Sequence, residues 1–161
     1  MPVDAPVVLL PAASPARRAL RRLWQGATWA YAISIAAMAA FAGAFVFVGH
    51  DLIGFHKNGA HVVGLISFAL LLGAFGGGLD RRAKLQTLGL FALLIVQGML
   101  VHLLVISPWI AAFHPANALV LFWAALTVAR GSAAAVDRAP GAASELPATP
   151  NRTPQLSPEP I

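Results

Sequence analysis

The stretch AHVVGLISFALLLGAFGGGLDRRAKLQTLGLFALLIVQGMLVHLLVI, residues 60–106, decides the fold. It contains two apolar runs, 60–79 and 85–106, with Asp80, Arg81, Arg82 and Lys84 gathered between them. Each run holds about 20 residues without Asp, Glu, Lys or Arg, long enough for a helix to cross ~30 Å of hydrocarbon. Gly76, Gly77 and Gly78 mark where the first of these helices stops, so the pair reads as a hairpin with a short basic turn. Two more runs of the same kind, 26–48 and 108–129, flank it. The expected fold is an all-α membrane protein: a four-helix antiparallel transmembrane bundle with spans at 26–48, 60–79, 85–106 and 110–130.

Composition agrees with one membrane domain and no soluble one. The 161 residues are 58% hydrophobic and 11% charged, and the apolar content is concentrated in the spans. Residues 1–16 and 137–161 are rich in proline and small polar residues and cannot bury a core, so disordered tails are expected on either side of a domain at 17–136. The N-terminal segment carries Pro2, Pro6, Pro11 and Pro15 before its arginines. It lacks the basic start and clean apolar core of a signal peptide, and the first run is expected to remain as a span. With no cysteine, the sequence excludes disulfides, thiolate metal sites and iron–sulfur clusters.

Charge is segregated by end. Placing four spans puts Arg17, Arg18, Arg21, Arg22, Arg81, Arg82, Lys84, Arg130, Arg138 and Arg152 on one side and Lys57 alone on the other. The positive-inside rule then predicts a bacterial cytoplasmic membrane protein with both termini in the cytoplasm. The basic residues cluster at helix ends, where they meet anionic headgroups, and no basic stripe interleaved with aromatics exists; nucleic acid is excluded as a partner. Trp24, Trp29 and Tyr31 are expected in the interfacial belt. Ala36, Ala40 and Ala44 repeat every four residues, a pattern that favours close packing of helices. The expected partners are the lipid bilayer and either another membrane protein or a second copy of the chain.

All five histidines fall toward the other, outer side. His56 and His61 open the second span, His114 opens the fourth, His102 closes the third, and His50 precedes the second. A b-type haem with two axial histidines needs two imidazoles on opposite faces of an apolar slot, carried by different helices. His56 or His61 together with His114 would supply them to the iron, with Lys57 as a cation for the propionates. His102 is an alternative ligand or a partner that orients one, in a network with Gln97. The bland alternative is that these histidines only meet water and headgroups, in a non-enzymatic scaffold or assembly subunit. A second alternative is a zinc or copper site using His50, Asp51, His56 and His61, with Met99 near His102. The spans contain no Asp or Glu, and no hydroxyl lies beside an activating base, so catalytic chemistry would have to come from a bound cofactor.

The segment His56, Lys57, Asn58, Gly59, Ala60, His61, Val62, Val63, Gly64, together with WIAAFHPANA at 109–118, resembles a family of small bacterial four-span membrane proteins of undefined function. In that family a histidine followed by a basic residue opens the second helix, and histidine-proline-x-asparagine opens the fourth. The likeness covers roughly residues 25 to 130. More distantly, the arrangement is similar to one four-helix half of a haem A synthase, which implies haem ligation by His56 and His114. The acidic residue near the first histidine and the whole second half of that enzyme are missing here.

One boundary stays open in the sequence. The fourth helix begins either at Pro108, with Pro115 kinking it, or at Pro115, in which case it must run past Arg130. The later start is preferred.

Overall fold

The structure, a computed structural model, describes residues 12–141. Of the tails expected at 1–16 and 137–161, residues 1–11 and 142–161, Arg152 among them, lie outside the described residues. The chain forms α1 (Pro15–Phe47), a 3-10 turn at His50–Leu52, α2 (Ile53–Gly76), α3 (Arg81–His102), a 3-10 turn at Leu103–Val105, a short α4 (Pro108–Ala111) and α5 (Phe113–Asp137). Four of its helical segments are long and apolar enough to cross a membrane, and this is a multi-pass helical membrane protein. With 33 residues, α1 is roughly 50 Å long and overruns the hydrocarbon at its arginine-rich start.

Local chemistry sets the helix ends. Ser14 caps α1 by accepting from the Arg17 amide, and Pro15 takes the first helical position, where its missing N–H costs nothing. At the end of α2, the Leu79 amide donates to the Ala74 carbonyl and the Gly78 amide to Phe75, with Gly78 at φ 65°. That double closure needs a left-handed residue, which glycine supplies without strain. Two residues later Asp80 caps α3, its Oδ1 accepting from the Ala83 amide at 2.8 Å. The hairpin expected at 60–106 is thus closed by Gly78 and Asp80.

α1 packs on α2 and α5, and α3 packs on the same two helices from the opposite side. As α1 advances from Leu20 through Trp24 to Met38, the glycines of α2 nearest to it run backward through Gly76, Gly73 and Gly59, so the two are antiparallel. The two ends of this bundle differ. At the basic end Trp24, Tyr31, Leu70, Ala74, Ala83, Ala125, Ala129 and Ser132 are buried, with Trp24 and Tyr31 fully so. Of the three aromatics expected near the interface, Trp24 and Tyr31 are turned into the bundle and Trp29 is exposed. The reason is a fitted slot: Gly73 leaves room for the Trp24 side chain, and the indole N–H donates to Thr87 Oγ1 at 2.9 Å.

Arg21 also turns inward. Its side chain is 3% exposed and donates to the carbonyls of Gly77 at 3.0 Å and Pro140 at 2.7 Å, tying α1 to the end of α2 and to the residues after α5. Arg138 pairs with Asp80 at 3.2 Å. Residues 138 and 140, at the start of the segment expected as a tail, are held by these contacts.

The start of the fourth span combines both sequence alternatives. Ser107 and Pro108 open α4 as expected for a new helix, although the Ser107 side chain makes no cap bond, and the turn ends at Ala111. The spanning helix α5 then starts at Phe113, between the two alternatives. Pro115 is its third residue, a position whose amide has no intrahelical acceptor, so the proline breaks α4 from α5 instead of kinking a continuous helix.

Two outcomes follow. A Cβ at Gly73 would lie 2.5 Å from Trp24 Cβ, whereas one at Gly64 meets nothing within 4 Å. Gly73→Ala is expected to destabilise the detergent-solubilised protein by about 1–3 kcal/mol, with Gly64→Ala neutral or slightly stabilising, measured by thermal unfolding. The Asp80 carboxyl is held below its ordinary value of 3.8, chiefly by the hydrogen bond from the Ala83 amide and further by Arg138 and Arg82, against partial desolvation. Its stabilising contribution is complete above that ordinary value and is lost as the pH falls through the lower folded one. Asp80→Asn should abolish this acid-side dependence while leaving the neutral-pH fold intact.

Candidate functional site: a two-histidine cavity

Toward the histidine end the packing opens. Beside Ile35 and Met38, α1 presents only the small side chains Ala36, Ala39 and Ala42, and Ala60 of α2 and Ala118 of α5 face the same space. The result is a cavity of about 570 Å³ among α1, α2, α3 and α5, within the range of small-molecule and cofactor sites. Its lining is apolar apart from His56, Gln97 and His114. Ala36 and Ala39 on α1 and Pro115 and Leu119 on α5 both line the cavity and are exposed, whereas nearer the basic end Ala32 and Ala129 are buried. Ala60 of α2 is likewise exposed, so the cavity wall is accessible on α1, α2 and α5.

His56 and His114 come from different helices, and their ring centres lie 6.2 Å apart with the planes at 64°. Each imidazole is oriented by a main-chain carbonyl. His56 Nδ1 lies 3.0 Å from the Met38 carbonyl, and His114 Nδ1 lies 3.0 Å from the Gln97 carbonyl. A carbonyl only accepts, so each Nδ1 carries the proton and each Nε2 is left as the base. On His114 that Nε2 accepts from the Gln97 carboxamide at 3.1 Å. Asn117 fixes the carboxamide in turn, donating to Gln97 Oε1 at 2.6 Å and to the Leu93 carbonyl at 3.1 Å. With its oxygen committed to Asn117, the Gln97 amide presents its NH2 group to His114, and the network is consistent from end to end.

Comparison with protein-family models, curated proteins and solved structures finds no match to this chain. The site is therefore read from its own geometry.

Of the residues singled out in the sequence, the structure brings together His56, His114 and Gln97 and leaves the other histidines and Lys57 apart. His61 is exposed, five positions on from His56 and so turned to another face of α2. His102 is the last residue of α3 and is exposed; the Gln97 side chain that was expected to join it bonds His114 and Asn117 instead. His50 is exposed against the edge of Phe45, 5.1 Å between ring centres. Lys57 is exposed beside His56. Among the described residues no three His, Asp or Glu converge, so the loop site considered for zinc or copper is not assembled.

Sequence reasoning did not assign a role to Asn117 or to the Met38 carbonyl. Asn117 had a visible signal, since it stands three residues after His114 and so shares its helix face. The Met38 carbonyl had none, because it depends on how closely α1 meets α2. One turn below the cavity floor, the hydroxyls of Tyr31 and Ser67 are buried side by side, outside good hydrogen-bond geometry.

Asn117→Leu should leave Gln97 Oε1 and the Leu93 carbonyl without their donor and cost about 1–3 kcal/mol in a denaturing-detergent titration. Thr127→Ala, which removes an exposed hydroxyl bonded within its own helix, should change stability by less than about 0.5 kcal/mol.

Proposed function

We propose that this protein binds one b-type haem between His56 and His114 and serves electron transfer or redox support in a bacterial cytoplasmic membrane, with the basic end and both termini inside. The observation that carries this reading is the pair of imidazoles on separate helices, each with Nδ1 engaged by a carbonyl and Nε2 left as the base. Their 6.2 Å separation is in keeping with two metal–nitrogen bonds of about 2 Å each plus the ring radii.

The donor set also suits a macrocycle better than a bare ion. Two imidazoles are too few for a closed zinc site, whereas a haem brings four nitrogens of its own and asks the protein for two. The alanines around the cavity leave width for a flat ring, and the apolar lining suits its faces. Lys57, exposed at the same end, is the cation available to the propionates. Held this way, the haem supplies one-electron chemistry. The chain's own contribution is to fix two imidazole tautomers, keep water out with apolar walls and hold the group at one depth in the membrane.

Protein purified in detergent from haem-supplied cells should show the sharp reduced α-band of a six-coordinate b haem in near-stoichiometric amount. His56→Ala and His114→Ala should each lose that spectrum while inserting normally; His50→Ala, His61→Ala and His102→Ala should keep it. A colourless but well-folded wild-type protein would overturn the haem reading and leave the non-enzymatic scaffold, for which co-purification of a membrane partner is the check.

A further inference from the structure

His56 and His114 differ in a way that matters for any ligand at the site. Both are oriented through Nδ1, but only His114 has its basic nitrogen covered: the Gln97 carboxamide reaches Nε2 at 3.1 Å, while the bond that orients His56 leaves its Nε2 uncommitted. Gln97 therefore touches both nitrogens of His114. Its carbonyl sets the tautomer through Nδ1, and its side chain occupies the lone pair which that tautomer creates.

We propose that the Gln97 carboxamide is a displaceable cap on His114, held closed by Asn117, which makes His114 the gated ligand of the site and His56 the constant one. This rests on the haem reading for its biological ligand, but the cap is a property of the protein alone. Three features support it. The carbonyl that fixes the His114 tautomer belongs to the backbone of α3 and stays in place when the side chain swings away. Gln97 faces the cavity, so its side chain has space to move into. Asn117 bonds both the cap and the Leu93 carbonyl, so the closed state is anchored to α3 and not merely tolerated.

A ligand that needs the His114 nitrogen binds only the uncapped fraction of molecules, and its apparent affinity is reduced by that fraction. One hydrogen bond of this kind corresponds to a few-fold to about tenfold bias toward the capped state. Gln97 is in these terms a positioning residue that acts through His114. Removing its side chain should raise ligand affinity, the opposite of what loss of a structural hydrogen bond does to a binding site.

The test compares wild type, Gln97→Ala and the length-preserving Gln97→Met in detergent, and it has two readouts. The first uses haem-free protein and diethylpyrocarbonate, which acylates the basic imidazole nitrogen, with modification of His114 and His56 followed separately by mass spectrometry. His114 should react more slowly than His56 in wild type and about five- to tenfold faster in either variant, with His56 unchanged. Equal rates for His114 in all three proteins would overturn the cap. The second readout is the optical titration of each protein with haem, where the variants should bind tighter by a similar factor. Faster His114 modification with no haem uptake by any of the three would keep the cap and remove haem as its ligand. Uptake with weaker binding in both variants would overturn the gate and assign Gln97 a supporting role.

Discussion

The Trp24 indole, seated against Gly73 and donating to Thr87, ties three helices at one level of the bundle. Inside a bilayer the usual drive to bury apolar surface is absent, since lipid tails solvate a leucine as well as a protein core does, so association depends on close packing and internal hydrogen bonds. Trp24 supplies both. Its large flat side chain needs a neighbour without a Cβ, and its N–H needs an acceptor that hydrocarbon cannot offer. Once α1, α2 and α3 are fixed there, Arg21 closes the same end by binding the carbonyls of Gly77 and Pro140. At the histidine end α1 presents Ala36, Ala39 and Ala42 beside Ile35 and Met38, with no tryptophan among the residues lining the space. The cavity is the geometric remainder of four helices clamped at one end.

Those parts of the fold that depend on local chemistry were legible in the residues. Length and apolarity gave four spans and three glycines gave the end of α2, whereas the start of α3 at Arg81, ahead of the span expected from 85, came with the Asp80 cap seen in the structure. The inward turn of Trp24, Tyr31 and Arg21 was not legible. All three belong to types that normally sit at a membrane interface, and what draws Trp24 and Arg21 inside lies far along the chain: Gly73 and Thr87 for Trp24, and Gly77 for Arg21. A single sequence shows that such partners exist but not that they meet.

The candidate site divides in the same manner. That histidines gather at one end follows from span counting alone, and the matching depth of His56 and His114 follows from their places at the starts of α2 and α5. Which of the five point inward depends on helix rotation, and the spans vary too little around their circumference for composition to reveal it. His102 illustrates the difficulty. It ends α3 one turn beyond Gln97, and only the observed rotation of α3 gives Gln97 to His114 and leaves His102 outside.

The exposed, apolar wall of the cavity, set in a bundle whose helices can cross a membrane, changes what fills it. A pocket in a soluble protein holds water, and a ligand gains by releasing that water; a pocket open to the bilayer holds the ends of acyl chains. Exchanging one hydrocarbon for another yields little free energy, so shape and greasiness cannot by themselves distinguish a ligand from the surrounding lipid. Discrimination must then come from atoms that an acyl chain cannot satisfy, and among the residues lining this space those atoms belong to His56, Gln97 and His114. In such a setting three polar side chains carry the selectivity that a soluble pocket would spread over its whole wall.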